Sequence, residues 1–248
     1  MWDANKEINR ILLWLEEYKT TTKCNGVVLG LSGGKDSTVV AMLAKKVWGD
    51  NVVGIMMPNG SQADIQDSKD IAEQLKLSTI AVNIGETYDG LLKAIKSVVV
   101  TDKAKTNIPP RLRMTTLYAV AQSLGYRVIG TGNASEGYVG WCTKFGDTGC
   151  DLNPIAHLTK TKVVEIGKIL AKEFGLEERF IVKAPSDGLT GKSDEDNLGF
   201  TYELLDKCIE KTFDRDEDYA KHRVEFNKIL AMHTASEHKR KMPYCITD

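Results

Sequence analysis

Val27-Val28-Leu29-Gly30-Leu31-Ser32-Gly33-Gly34-Lys35-Asp36-Ser37 runs straight into Thr38-Val39-Val40-Ala41-Met42-Leu43-Ala44. An apolar run, a glycine turn and a second apolar run read as buried strand, loop and helix. Two adjacent glycines let the main chain turn sharply and let an anion approach where a Cβ would otherwise stand. The free N–H groups of the first helical turn, with the helix dipole, then favour a phosphate. Ser32 and Ser37 add hydroxyl donors. Asp36 is the odd member, because a carboxylate repels a phosphate. Its natural use is to hold Mg2+, which bridges carboxylate and phosphate oxygens. The spacing from Gly30 to Lys35 matches neither the dinucleotide pattern G-x-G-x-x-G nor the Walker pattern G-x-x-x-x-G-K-[ST]. A plain turn has little need of two serines, two glycines and an aspartate in six positions.

Outward from this loop the same alternation continues. Residues 3–19 read as a helix with Ile8, Ile11, Leu12 and Leu15 on one face, then a polar connection from Thr20 to Asn25. Beyond the loop come a helix from about Thr38 to Trp48 and a strand over 52–57 that ends at Pro58-Asn59-Gly60. A helix over 64–77, a strand over 78–83 and a helix over 86–100 follow. Asn107-Ile108-Pro109-Pro110-Arg111 reads as a helix entry, with proline near the first turn. Residues 126–131 are a fourth strand. Strand and helix alternating with short links predict an α/β fold, a doubly wound parallel sheet with helices on both faces. Right-handed crossovers place the loops after the strands on one rim, where ligands bind at the switch in strand order. Later helices are expected over 160–174, behind Thr159 as N-cap, and over 201–211 and 216–235.

The second glycine-rich strand end, Gly130-Thr131-Gly132-Asn133-Ala134-Ser135-Glu136, should join the first loop on that rim. Glu136 is then a second carboxylate that could meet Mg2+ opposite Asp36. Arg111 lies in the first turns of its helix, an unfavourable end for a cation. It is either a solvated arginine or one that awaits a phosphate or carboxylate. Lys144 to Asp151 is a loop dense in charge and glycine, and Pro185 to Asp194 is small, polar and expected to move. Thr190-Gly191-Lys192-Ser193 looks like half a Walker loop, but Ser186 stands where its first glycine belongs. The basic tail His238-Lys239-Arg240-Lys241 is a solvated cluster or a weak polyanion site.

Composition narrows the function classes. The 248 residues suit one large α/β domain with a sizeable core. Lys and Arg number 33 against 34 Asp and Glu, so no excess of positive charge marks nucleic acid as an obligate partner. No apolar run approaches the roughly 20 residues of a membrane span, and Met1 to Glu17 lacks a signal peptide's apolar block. The five cysteines form no C-x-x-C pair, which suits reduced thiols and a cytoplasmic enzyme without a structural metal.

Ser32-Gly33-Gly34-Lys35-Asp36-Ser37 resembles the SGGxDS pyrophosphate loop of the N-type ATP pyrophosphatases, which split ATP between the α- and β-phosphates. Asn107 with Arg111, Arg113 and Met114, then Gly130-Thr131-Gly132-Asn133 with Ser135-Glu136, then Lys144-Phe145-Gly146-Asp147, resemble successive motifs of the NAD synthetase family. Pro185-Ser186 and Ser236-Glu237-His238-Lys239-Arg240 continue the series, over roughly residues 5–243. The resemblance implies NAD made from deamido-NAD, ATP and ammonia with Mg2+, by a single domain over residues 1–248, typically a homodimer. It implies the ammonia-dependent form, since a glutamine-hydrolysing domain needs about 250 further residues. It further implies that Gly30, Leu31, Ser32, Gly33, Gly34, Lys35, Asp36 and Ser37 hold the phosphates of ATP. By the same resemblance Asp36 and Glu136 bind Mg2+, and Thr131 and Lys160 contact ATP. Arg111, Lys144, Asp151, His238 and Lys239 contact deamido-NAD. Ser186, where many members have threonine, touches a phosphate, and Asp147 receives ammonia. Asp36, Asp147 and Ser186 are thus the catalytic candidates, and the segment near 187–199 closes over substrates. Two other classes compete: a tRNA-modifying adenylating pyrophosphatase, and a nucleotide sensor that needs the loop but not the paired carboxylates.

Overall fold

Four short parallel strands make the sheet: β1 (Val27–Gly30), β2 (Val52–Met56), β3 (Ser78–Ala81) and β4 (Arg127–Val128), in the order β3-β2-β1-β4. The computed structural model describes residues 2–60, 65–183, 193–212 and 217–243. Val27 pairs with Val52 on one side and Arg127 on the other, and Val53 pairs with Ser78. The chain steps outward from β1 to β3, then returns to lay β4 on the opposite flank of β1. The order therefore reverses between β1 and β4, and the crevice beyond their carboxyl ends is where such sheets take ligands.

Side chains on a strand alternate between its two faces, and β1 obeys this. Val27, Leu29 and Leu31 join the larger core with α1 (Ala4–Thr22), α2 (Lys35–Trp48), α8 (Lys160–Phe174) and α9 (Arg179–Val182). There Ile11 and Leu15 meet Val39, Leu43, Ile166 and Leu170. A Cβ on Gly167 would lie 2.8 Å from Ile181 and 2.9 Å from Val39, so this glycine lets α8 approach both neighbours closely. Val28 faces the other way, into a cluster with Val53, Ile55, Ile84, Ala121 and Val128. The helices on that side are α4 (Gly85–Ala94), α5 (Asp102–Thr106) and α6 (Ile108–Leu124), while α3 (Ile65–Gln74) links β2 to β3. A third cluster of Val139, Leu198, Phe200, Tyr202, Leu205, Phe226 and Ile229 lies beyond the rim. It unites α7 (Ala134–Val139), α10 (Asp194–Leu198), α11 (Tyr202–Glu210) and α13 (Arg223–Ala235). Two short helices, α12 (Glu217–Lys221) and α14 (Glu237–Arg240), flank α13.

Several expected bounds shift for local reasons. The first helix runs through Thr20 and Thr22, whose hydroxyls donate back to the Glu16 and Tyr18 carbonyls, and ends at Lys23 with φ 53°. α4 stops at Ala94, and α5 starts anew behind Thr101, which accepts the Ala104 N–H. β4 keeps two residues because the chain at 150–153 runs alongside its end. A Cβ on Gly130 would meet Cys150 Sγ at 2.6 Å, and Ile129 bridges to Leu152. The helix expected over 216–235 is broken at His222. Coverage of the sheet is uneven: all four residues of β3 are exposed, α4 buries none, and α6 buries only Pro109 and Ala121. The α4–α6 layer packs on the central strands and leaves the β3 edge bare. Among the described residues, no helix is long and apolar enough to cross a membrane.

Candidate active site

β1 delivers its loop to the switch point. Leu31 still donates its N–H to Ile55 at 2.9 Å, and Gly33 then turns the chain with φ 78°. Gly34, in extended conformation, is the N-cap of α2. A glycine cap brings no side chain to the first N–H groups of the helix, so they remain for an anion at the positive end of the dipole. Hydroxyls frame the turn. Ser37 and Thr38 donate to the Gly34 carbonyl at 2.9 and 2.8 Å, and Ser32 Oγ accepts the Gly34 N–H at 3.2 Å. Lys35 is buried beside them. Burial and the Lys160 charge lower its ammonium from the usual lysine range, against the pull of Asp36.

The second loop supplies a partner for Asp36. Asn133 caps α7 by accepting the Glu136 N–H at 3.0 Å, while Glu136 Oε2 accepts the Asn133 N–H at 3.4 Å. This reciprocal box fixes the Glu136 side chain. The same Asn133 donates from Nδ2 to Asp36 Oδ1 at 3.3 Å, so one residue joins the two loops across the switch point. Lys160, first residue of α8, completes the group. Its Nζ lies 2.5 Å from Asp36 Oδ2 and 2.9 Å from Glu136 Oε1. Burial works against the Lys160 charge, but the two carboxylates outweigh it and hold the ammonium well above the usual lysine range. Burial pushes Glu136 up to about 7; Lys160 opposes this and Asp36 adds to it.

Two carboxylates converging on one ammonium mark a place where positive charge is stable. Among the described residues no third His, Cys, Asp or Glu joins such a group. A divalent cation here would have two protein ligands and take the rest from phosphate oxygens and water, the usual arrangement for Mg2+. The donor set therefore fits that ion.

The other expected site residues divide into two places. Arg111, at the start of α6, donates to the Lys144 carbonyl at 3.3 Å, and Lys144 Nζ donates to the carbonyls of His238 at 2.5 Å and Lys241 at 3.3 Å. Arg111, Lys144 and the main chain of the 238–241 tail are thus brought together. Asp151 does not join them. Its carboxylate accepts the Val128 N–H at 2.8 Å and the Tyr118 hydroxyl at 3.3 Å, beside β4. Asp147 lies in the 143–148 turn and accepts the Thr143 N–H at 2.8 Å. Burial raises its carboxyl above the usual range, opposed by that N–H and by the Arg113 charge. Thr131 is half-buried between Gly130 and Gly132 on the rim. Ser186, with residues 187–192, lies outside the described residues; Asp194 to Leu198 form α10.

Much of the basic tail serves α7. Arg240 donates to the Gly137 and Tyr138 carbonyls at 3.2 and 3.0 Å, and Lys239 to those of Gly140 and Cys142, each at 2.7 Å. Cations at a helix C-terminus satisfy its last carbonyls and suit its dipole. Gly140 ends α7 with φ 67°, and a Cβ there would come within 2.1 Å of Ser236 Cβ. Gly140→Ala is expected to lower stability by more than about 1 kcal/mol, read from the midpoint of urea unfolding. An unchanged midpoint would mean that the tail yields freely.

Sequence reasoning missed two features. Asn133 was part of a motif without a role, and here it ties Asp36 to Glu136. Thr159 holds the N-cap position of α8, but its hydroxyl donates to Glu210 at 2.8 Å, not to the helix; Asp206 accepts the Thr161 N–H instead, at 2.8 Å. The polar spacing of Tyr202, Asp206 and Glu210 was the available signal.

Comparison with known proteins places these features in a group. The model of the family described as NAD synthase matches residues 7–243. The NH(3)-dependent NAD(+) synthetase of Carboxydothermus hydrogenoformans is 41% identical over 247 residues, covering 98% of this chain and 96% of that protein. Among solved structures, NMN synthetase from Francisella tularensis superposes with a TM-score of 0.89 at 33% identity, covering 100% of both chains. The NH3-dependent NAD synthetase from Campylobacter jejuni has a TM-score of 0.80 at 28% identity, covering 99% of this chain and 100% of that one.

Proposed function

The chain belongs to the NAD synthase family, and we propose that its switch-point crevice performs ATP-driven amidation. The protein is an ammonia-dependent NAD synthetase, a ligase that forms a C–N bond and uses ATP as co-substrate. A tRNA-modifying role is not favoured, because the family match takes in residues 7–243. The observation that carries the site assignment is the Lys160 ammonium, shared at 2.5 and 2.9 Å by carboxylates from two different rim loops.

A carboxylate is a poor electrophile and oxide a poor leaving group, so the nicotinate carboxyl of deamido-NAD needs activation. Its oxygen attacks the α-phosphorus of ATP, a P–O bond forms, and the α–β bridge breaks to release pyrophosphate. The N–H groups at the start of α2, with Ser32 and Ser37, receive the departing charge. Lys35 and Lys160 add positive charge on either side. Mg2+, held by Asp36 and Glu136, would neutralise phosphate oxygens. Such transfer depends on positioning and charge compensation and needs no protein nucleophile. Ammonia then attacks the acyl carbon of the adenylate, and AMP leaves with the carboxyl oxygen. Asp147 takes the ammonium ion and accepts its proton. The basic patch of Arg111, Lys144, His238 and Lys239 meets the phosphates of deamido-NAD. Asp151, beside Tyr118 and β4, contacts the same substrate from outside that patch.

A homodimer agrees with the half-exposed apolar side chains of α6 and the bare face of α4. A cytoplasmic setting agrees with four unpaired thiols, Cys24, Cys142, Cys150 and Cys208. Asp147→Asn is expected to raise the KM for ammonia at least about tenfold, measured by varying free ammonia at saturating ATP and deamido-NAD. The raised Asp147 carboxyl gains a proton as pH falls, so the wild-type rate per free ammonia should decline on the acid side. The variant should lack that limb. Equal profiles would assign proton acceptance elsewhere.

The overall assignment is tested by mass spectrometry of products from ATP, Mg2+, deamido-NAD and an ammonium salt. NAD and AMP in equal amounts are expected; ADP, or AMP without NAD, would contradict it. The likeness to NMN synthetase from Francisella tularensis favours one second reading, in which the acceptor is nicotinate mononucleotide. The same assay with that acid in place of deamido-NAD separates the two by kcat/KM.

A further inference from the structure

Helix α11 has no part in the chemistry above, yet one of its faces grips the start of α8, where Lys160 sits. Tyr202, Asp206 and Glu210 recur every four residues and so share a helical face. Each reaches a different point on 159–162. The Tyr202 ring lies 5.2 Å from Lys160 Nζ, and its hydroxyl donates to Asp194 Oδ2 at 3.2 Å. Glu210 accepts the Thr159 hydroxyl at 2.8 Å and pairs with Lys162 at 2.9 Å. Asp206, 4% exposed, accepts the Thr161 N–H at 2.8 Å through Oδ2 and the Ser135 hydroxyl at 2.5 Å through Oδ1. Ser135 Oγ in turn accepts the Lys160 N–H at 2.8 Å.

Ser135 precedes Glu136, and Thr161 follows Lys160. One buried carboxylate therefore joins main-chain positions next to both ends of the ion pair. We propose that α11 is a positioning element of the site, with Asp206 at its centre. By fixing Ser135 and Thr161 it sets where the Lys160 ammonium stands between Asp36 and Glu136. Asp206 touches neither carboxylate and acts through these neighbours. A neutral amide of the same shape has one accepting oxygen, so either the Ser135 hydroxyl or the Thr161 N–H loses its acceptor and the link to Lys160 loosens. Burial lifts the Asp206 carboxyl above its usual range, and the Ser135 and Thr161 donors oppose this.

The proposal rests on the ATP site described above. It is tested by calorimetric ATP binding to the whole protein, Asp206→Asn, Lys160→Met and the double variant. Asp206→Asn should weaken ATP about tenfold, as expected for losing a hydrogen bond to a charged group, and leave deamido-NAD affinity within about twofold. In the Lys160→Met background it should add no further loss, since its effect passes through the ammonium. Equal losses in both backgrounds would make Asp206 a purely structural residue, and no loss in the wild-type background would also overturn the proposal. Should Asp206→Asn fail to fold, Ser135→Ala cuts the same link from its other end. A wild-type protein that binds no ATP would refute the ATP site itself and not the role of α11.

Discussion

Asp36→Asn is expected to cut turnover by about 10²–10³-fold, the loss typical of removing one preorganised charge-stabilising group. Asp36 stands in the first turn of α2, where the loop is built to receive phosphate. There it accepts Lys160 at 2.5 Å and Asn133 at 3.3 Å. The amide keeps the shape and can still accept one of those bonds, so the fold should survive. What disappears is the negative charge that, on the proposed reading, holds cations against the ATP phosphates. ATP should therefore need much more Mg2+ for half-maximal rate, while the KM for deamido-NAD stays near its wild-type value. A variant with near-normal turnover and unchanged Mg2+ dependence would remove Asp36 from the chemistry.

Lys160→Met should be as severe, and it should reach stability as well as rate. The lysine side chain is 5% exposed between carboxylates that are themselves only 17% and 20% exposed. Removing one member of such a group leaves like charges facing each other, at a cost of about 3–5 kcal/mol. The cost should depend on pH, with a definite sign. Glu136 already titrates near 7, above its ordinary 4.5, because of burial. Losing the ammonium raises it further. The folded variant then binds a proton that the unfolded chain has already released, so its stability falls as pH rises from about 4.5 through that raised value. Urea midpoints of variant and wild type should lie closer at pH 5.5 than at pH 8. A difference that is flat with pH would mean that the carboxylates find another counter-charge. Mg2+ at pH 8 should stabilise the variant more than the wild type, because the ion takes the place that the ammonium held.

Those two residues show what a single chain reveals before folding. The strand, the double glycine and the helix after it were legible because all are contiguous and periodic, and α8 begins and ends where its apolar spacing predicts, at Lys160 and Phe174. Asp36 and Glu136 could be brought together from topology alone, since parallel strands with right-handed crossovers put their loops on one rim. The residues that hold them there were not legible. Asn133 reaches across 97 positions to Asp36, and Asp206 reaches across 71 to Ser135. No local period encodes such a bond. Thr159 looked like a sufficient cap because the acceptor that replaces it lies 45 residues beyond Thr161. The resemblance groups Asp151 with the basic residues, and no local signal shows that its carboxylate accepts the Val128 N–H of the short β4. Ser186 belongs to residues outside those described, so its contact with phosphate remains an expectation of the motif.

The central claim is that the turn at Gly33–Gly34 holds the departing diphosphate while the carboxylate pair gathers positive charge beside it. A crystal structure with a non-hydrolysable ATP analogue and Mn2+ in place of Mg2+ tests this most directly, because anomalous scattering locates the metal independently of its ligands. The account predicts β- and γ-phosphate oxygens on the N–H groups that open α2, and Mn2+ bound by both Asp36 and Glu136. Terminal phosphates on the Arg111–Lys144 patch, or Mn2+ bound away from that carboxylate pair, would contradict it.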